Sequence, residues 1–406
     1  MTIDDYIEQN LPLTIRENRL DHPPLLGLPY PYLCPCVSDL FQELYYWDSY
    51  FINQGLLLQG NVRQAVWTID NLRALLDRFG FVPNGNREDY LFNSQPPFLA
   101  LMVRAAYDVT RDRVWLKAAY TSICREHDFW QTQRTFDFGL SHYDCQPLPE
   151  GRVQAAVDCL CSRMGYRPEG TDAALARGMY ASGECGWDFT PRMAHRVYCY
   201  APADLNALLW AQEDQLASFA RLLGQPDEAR QWEACRDRRG RLCRKYLQDA
   251  DGIFYDYDAE RQARTALVSA SCFYPLFTGM ATPDEAAAAV RLLPRMETRY
   301  GLTVCEKHTV PGVFQWGWPN GWPPAHKIVV DGLLRYGYEA DAMRIAQKFS
   351  RTVERCFAQT GHLWEKYNMA DGSVQVTDEY KMPAMLGWTF GVYIAFRKLL
   401  DETDHT

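Results

Sequence analysis

Apolar positions recur at threes and fours along most of this chain. From Val62 the sequence sets Val66, Ile69, Leu72, Leu76 and Phe79 on one stripe and then meets Gly80, which predicts an amphipathic helix closed by a glycine cap. Segments 97–108, 113–135, 203–223, 226–247, 283–299, 325–337, 339–357 and 384–401 read as helices on the same grounds, several beginning after Pro, Asp or Thr. Few stretches alternate as strands; Gly252 to Tyr257 has the composition of a short hairpin arm.

Consecutive helices leave a bundle, a solenoid or a closed ring as architectures. The connections decide among them. Stretches 30–50, 81–97, 181–192, 309–324 and 361–382 are long and rich in Trp, Tyr, Asn, Gly and carboxylates, and long loops in compact domains usually carry function. The expected fold is all-α, a toroid of paired helices whose loops gather at one end around a pocket. A single domain over 1–406 is expected, with 1–29 as an N-terminal extension packed on it.

Composition narrows the function classes. Hydrophobic residues at 47% and charged residues at 23% are ordinary for a globular protein, and a net charge of -9 leaves no basic footprint for nucleic acid. The longest apolar stretch, 383–396, contains Gly387 and Gly391 and is shorter than the ~20 residues a membrane span needs. Thirteen cysteines, an odd number, and an opening Met-Thr-Ile-Asp-Asp without a basic-then-apolar leader lead to the expectation of a reduced, cytoplasmic protein. Cys34-Pro-Cys36 and Cys159-Leu-Cys161 are one residue too tight for a zinc knuckle, so no metal and no cofactor are expected.

Two runs break the helical period: "YYWDSYF" at 45–51 and "FQWGWPNGWPP" at 314–324. Acids stand among the aromatics of several loops, with Glu43 and Asp48 in the first, Asp188 in "SGECGWDFTPR", Glu365 in "LWEKYN" and Glu379 in "TDEYKMP". Flat rings beside carboxylates and amides suit a sugar, whose C–H face packs on aromatics while its hydroxyls take bidentate partners. Taken singly, each segment is equally compatible with a satellite core whose acids cap helices.

The run Phe41, Glu43, Tyr45, Trp47, Asp48, Tyr50 resembles the first signature of the trehalases, glycoside hydrolase family 37, and Gln315, Trp316, Pro319, Asn320, Gly321, Trp322, Pro324 resembles the second. "PNGNR" at 83–87, "SQPPFLALMV" at 94–103 and "SGECGWDF" at 182–189 match that family in the same order. The resemblance implies an (α/α)6 barrel and an inverting glycoside hydrolase for a small α-glucoside, with Asp188 as general acid and Glu365 as general base. Inversion requires the two carboxyl groups ~6.5–9.5 Å apart, so that a water fits between them. Glu379 is the rival base. Asp48 is expected to take sugar hydroxyls and Trp47 to wall the site. Phe41, Asn84, Gln95, Arg167, Gly186, Trp316 and Asn320 are implied as further substrate-binding residues, and Glu379 with them. His142 and His195 are expected in ordinary polar roles.

The chain departs from the family where substrate choice is made. Leu40 and Asn93 stand where trehalases carry sugar-clamping arginines, Gly317 replaces an acid, and the glycine-rich lid before Glu379 is absent. Arg167 of the Arg-Pro-Glu motif remains. The expectation is therefore that trehalose is a poorer substrate than some other small α-glucoside. The related family 63 hydrolases of mannosylglycerate and glucosylglycerate, which resemble "LPYPYLCP" and "EKYN", are the alternative, and an inactive sugar-binding protein is the alternative of another class. Sugar epimerases on similar toroids use histidines as acid and base, and the eight histidines here are scattered, none lying in an aromatic acid loop that matches that plan.

Overall fold

A computed structural model describes residues 1–378, 380–384 and 387–403. Glu379 lies outside the described residues. The helices are α1 (Ile3–Asn10), α2 (Tyr46–Leu58), α3 (Val62–Phe79), α4 (Leu99–Thr110), α5 (Arg113–Gln133), α6 (Glu150–Met164), α7 (Asp172–Cys185) and α8 (Ala203–Leu222). They continue as α9 (Pro226–Tyr246), α10 (Tyr274–Thr278), α11 (Pro283–Val290), α12 (Leu293–Met296), α13 (Pro323–Arg335), α14 (Glu339–Thr360) and α15 (Gly387–Thr403).

Six of these close a ring: α2 touches α4, α4 touches α8, then α8 α10, α10 α13, α13 α15, and α15 returns to α2. Outer helices back them in sequence, with α3 against α2 and α4, α5 and α9 against α8, and α14 against α13 and α15. This is the all-α toroid read from the sequence. The N-terminal helix lies on the outside, with Tyr6 edge-on to Phe357 at 5.3 Å and Asp4 paired with Arg397 at 2.8 Å.

The period revealed the inner helices α4, α8, α13 and α15 as well as outer ones, and burial explains why it failed at α2. Outer helices show one apolar stripe: α3 buries Ala65, Thr68, Ile69, Leu72, Leu75 and Leu76 and stops at Gly80, whose φ of 80° closes the cap. Inner helices are enclosed on nearly every side. In α2 the run from Tyr46 to Asn53 is buried without interruption, which removes any polar face and with it the three-and-four pattern. "YYWDSYF" is thus the start of an inner helix, where an irregular loop was expected.

Other differences are local. Segment 283–299 divides into α11 and α12 because Pro294, in the first turn of α12, cannot continue the ladder of α11. The hairpin arm expected at Gly252 to Tyr257 is reduced to a single antiparallel bridge between Phe254 and Gln248, and the strand there is Tyr257–Asp258, paired antiparallel with Tyr200–Ala201 and Ala263–Arg264. Helices α6 and α7 are not among those the sequence reading identified, and the end of α7 falls in the expected loop 181–192. They form a hairpin with its own small core of Ala156, Val157, Leu160, Met164, Leu175, Ala176, Phe189 and Phe314.

All thirteen cysteines are free thiols, eight of them buried. Among the described residues no cluster of three or more His, Cys, Asp or Glu side chains is arranged for a metal, and no helix is long and apolar enough to cross a membrane.

Candidate active site

A cavity of about 740 Å³ opens at one end of the ring, where α2, α13 and α15 begin. Trp47 and Asp48 in the first turn of α2, Trp322 at the N-cap of α13 and Trp388 near the start of α15 all line it. Its floor is a stack of indoles: Trp316 lies on Trp322 at 3.8 Å and 5°, meets Trp187 at 5.3 Å, and faces Trp47 at 5.5 Å. Trp388 stands edge-on to Trp47 and Trp322. Such a surface offers ring faces to a flat apolar ligand face and few competing polar groups.

Asp188 reaches the cavity from the turn that follows α7. Gly186 caps that helix at φ 71°, and a Cβ there would stand 3.0 Å from the Trp47 ring, so the turn and its packing both require glycine. The turn is clamped from the second signature: Gln315 Nε2 donates to the main-chain carbonyl of Asp188 at 2.6 Å, and the Trp316 N–H donates to that of Phe189 at 3.0 Å. Burial pushes the Asp188 carboxyl above its ordinary range, partly opposed by the Arg163 guanidinium 3.0 Å away.

Glu365 reaches the same cavity from the loop after α14. Lys366 Nζ donates to its Oε2 at 2.6 Å, the Tyr380 hydroxyl donates to its Oε1 at 2.6 Å, and Trp388 Nε1 donates to its main-chain carbonyl. Asp48 is the third acid. Burial, and then the charges of Glu365 and Asp188, push its carboxyl up to about 8.

Of the residues implied by the sequence, Phe41, Trp47, Asp48, Asn84, Gln95, Gly186, Asp188, Trp316 and Glu365 all line this one cavity. Gln95 also orients α2 by accepting from the Trp47 N–H at 3.0 Å, and Asn84 Nδ2 donates to the Gly183 carbonyl at 3.1 Å. Two residues are corrected. Arg167 lies outside the cavity, half exposed and paired with Asp172 at 2.6 Å, because the chain has left α6 and turned outward before it. Asn320 is fully buried behind the floor: its Nδ2 donates to the carbonyls of Gln315 and Thr377, so it joins two loops where a sugar contact was expected.

Sequence reasoning missed the wall that α6 provides. Gly151, Arg152, Ala155, Ala156, Cys159 and Arg163 line the cavity from that helix. Val153, Ala156, Val157, Leu160 and Met164 do repeat at threes and fours, so the helical signal was present there. Glu184 was also passed over. Fully buried, it accepts from Arg134, the Ser94 N–H and the Asp144 N–H, and so fixes the "NSQPP" segment against the end of α7. Arg87 is held by Glu43 at 2.8 Å and His142 stacks on Phe136 at 4.2 Å; neither lines the cavity.

Residues 7–401 match the model of the trehalase family. The periplasmic trehalase of Xanthomonas axonopodis pv. citri is 32% identical over 407 residues, covering 94% of this chain and 70% of that one. A periplasmic trehalase of Xanthomonas campestris pv. campestris is 31% identical over 93% of this chain and 69% of its own length. Among solved structures, the neutral trehalase of Saccharomyces cerevisiae superposes with a TM-score of 0.80 at 25% identity, over 94% of this chain and 78% of that one. A mannosylglycerate hydrolase of Thermus thermophilus shares the fold, with a TM-score of 0.62 at 20% identity, over 90% of this chain and 96% of its own. The periplasmic names of these relatives overturn the expectation of a cytoplasmic chain. The eight buried cysteines did not bear on it, since a thiol sealed in an apolar core finds no partner in either compartment.

Proposed function

The chain belongs to the trehalase family of glycoside hydrolases, and on that premise we propose that it hydrolyses trehalose by direct displacement with inversion. An acetal is inert to neutral water, so the leaving oxygen needs a proton while a base on the opposite face activates the nucleophile. In this reading Asp188 donates to the glycosidic oxygen and Glu365 deprotonates the attacking water. The observation that carries it is the pair itself: one acid whose carboxyl is raised by burial and one carboxylate held by two donors, facing a single indole-floored cavity.

The cavity's charge favours a neutral sugar over a glycerate glycoside. Among the described lining residues the acids are Asp48, Asp89, Asp188 and Glu365, against Arg152 and Arg163 alone. Both guanidinium groups are engaged, Arg152 with Asp89 at 2.8 Å and Arg163 with Asp188 at 3.0 Å. A carboxylate on the aglycone would enter without a spare cation. Charge-paired as they are, each guanidinium has five N–H donors, more than one carboxylate takes, and a neutral sugar hydroxyl can use the rest; this revises the expectation that trehalose is a poor substrate, although Leu40 and Asn93 occupy the positions of the missing arginines.

The test is kcat/KM for trehalose, glucosylglycerate, mannosylglycerate and kojibiose with purified protein. Trehalose is expected to lead both glycerate glycosides by at least ~10-fold, the cost of a buried unpaired charge being 1.4 kcal/mol or more. A preference for either glycerate glycoside would overturn the assignment.

A further inference from the structure

The Lys366 side chain has no solvent exposure, and its ammonium stands between two carboxylates, 2.6 Å from Glu365 Oε2 and 2.6 Å from Asp378 Oδ1. The contact with Glu365 is a hydrogen bond; that with Asp378 is an ion pair without hydrogen-bond alignment. The rings of Trp322 and Tyr380 flank the ammonium at 4.8 and 4.9 Å. A fully buried cation persists only when paired, and one carboxylate would give neutrality. The second arrives from another segment, which is itself anchored where Thr377 exchanges hydrogen bonds with Asn320.

We propose that Lys366 is a positioning residue for Glu365, its charge divided between Glu365 and Asp378 so that the base stays ionised and oriented without being fully neutralised. The inference rests on Glu365 as the base. An undivided ammonium would hold the carboxylate too tightly to accept a proton from water, and an absent one would leave Glu365 exposed to the field of its acidic neighbours. The groups facing Glu365 come from several elements: the acids Asp48 from α2 and Asp188 from the turn after α7, and the neutral Tyr380 hydroxyl from the loop before α15, while Arg163 of α6 reaches this corner through Asp188.

The device predicts opposite effects from its two halves. Lys366→Met should move the acid limb of kcat/KM to higher pH by about 1–3 units, the range for loss of an adjacent opposite charge. Asp378→Asn should move it to lower pH by a smaller amount and reduce kcat several-fold, since the ammonium then serves Glu365 alone. A purely structural role would lower activity without shifting the limb in opposite directions. Shifts of the same sign, or none in both variants, would overturn the proposal.

Lys366→Met carries a folding risk, and Asp378→Asn leaves the buried cation paired, so the latter's limb decides if the former fails to fold. A carbon-13 titration of Glu365 in glutamate-labelled protein reads the same displacement without substrate. Failure of the wild type to cleave any glycoside would refute the trehalase reading, while the displacement in Asp378→Asn would still decide the clamp.

Discussion

The Gln315 side chain and the Asp188 carbonyl, 127 positions apart, share a hydrogen bond of 2.6 Å. Through it the second signature holds the "SGECGWDF" segment, and the acid's turn is braced by the loop that supplies the indole floor. Gln315→Leu should therefore lower kcat about 10–100-fold with KM little changed, because displacement of a reacting group by even an ångström is costly. Steady-state rates and a melting curve check this. Unchanged kcat in a folded variant would show that the turn is rigid without the clamp.

Asp188→Asn and Glu365→Gln should each lower turnover by ~10²–10⁴-fold with folding intact, since each removes one half of the proton transfer. Asp48→Asn supplies the comparison, because its carboxyl, pushed up to about 8, stands in the same cavity. If Asp188→Asn stays active while Asp48→Asn is dead, the acid is Asp48.

Direct attack by water delivers the first sugar in the anomeric configuration opposite to that of the bond cleaved. Proton NMR in the first minutes of trehalose hydrolysis should show β-glucose appearing alongside the α-anomer of the leaving sugar, before mutarotation mixes them. Release of α-glucose alone would exclude a single displacement.

Asp48 also makes stability depend on pH. Its carboxyl ordinarily titrates near 3.8 and is raised to about 8 in the fold, so between those values the native state keeps a proton that the unfolded chain has released. Unfolding is then favoured progressively as pH rises through this window. Asp48→Asn removes that dependence, and its melting temperature relative to wild type should be higher at pH 8 than at pH 5. Calorimetry at the two pH values measures the difference, and an equal offset at both would contradict it.

The sequence was most legible where one side of an element faces water. Leu72 and Leu76 on α3, or Ile345 and Phe349 on α14, repeat because solvent lies opposite them. Tyr46, Trp47 and Tyr50 do not, because α2 has protein on all sides, and the helix at the centre of the site was read as loop. Site residues were found through motif order, which brought nine of them to one cavity. Order says nothing about direction, however. Arg167 follows α6 in sequence and points away, while Arg163, one turn earlier, reaches Asp188. Asn320 sits within a signature and serves the backbone of its own loop.

Three inner helices begin at the cavity, and each brings the positive end of its aligned peptide dipoles there, equivalent to roughly half an elementary charge apiece. The backbone thereby sets a positive field around Asp48, Asp188 and Glu365 that partly offsets their mutual repulsion and the loss of water. This field belongs to the barrel and survives any change of side chain. A variant with glutamine for Glu365 would keep that field and the Lys366 ammonium while losing the carboxylate both of them face.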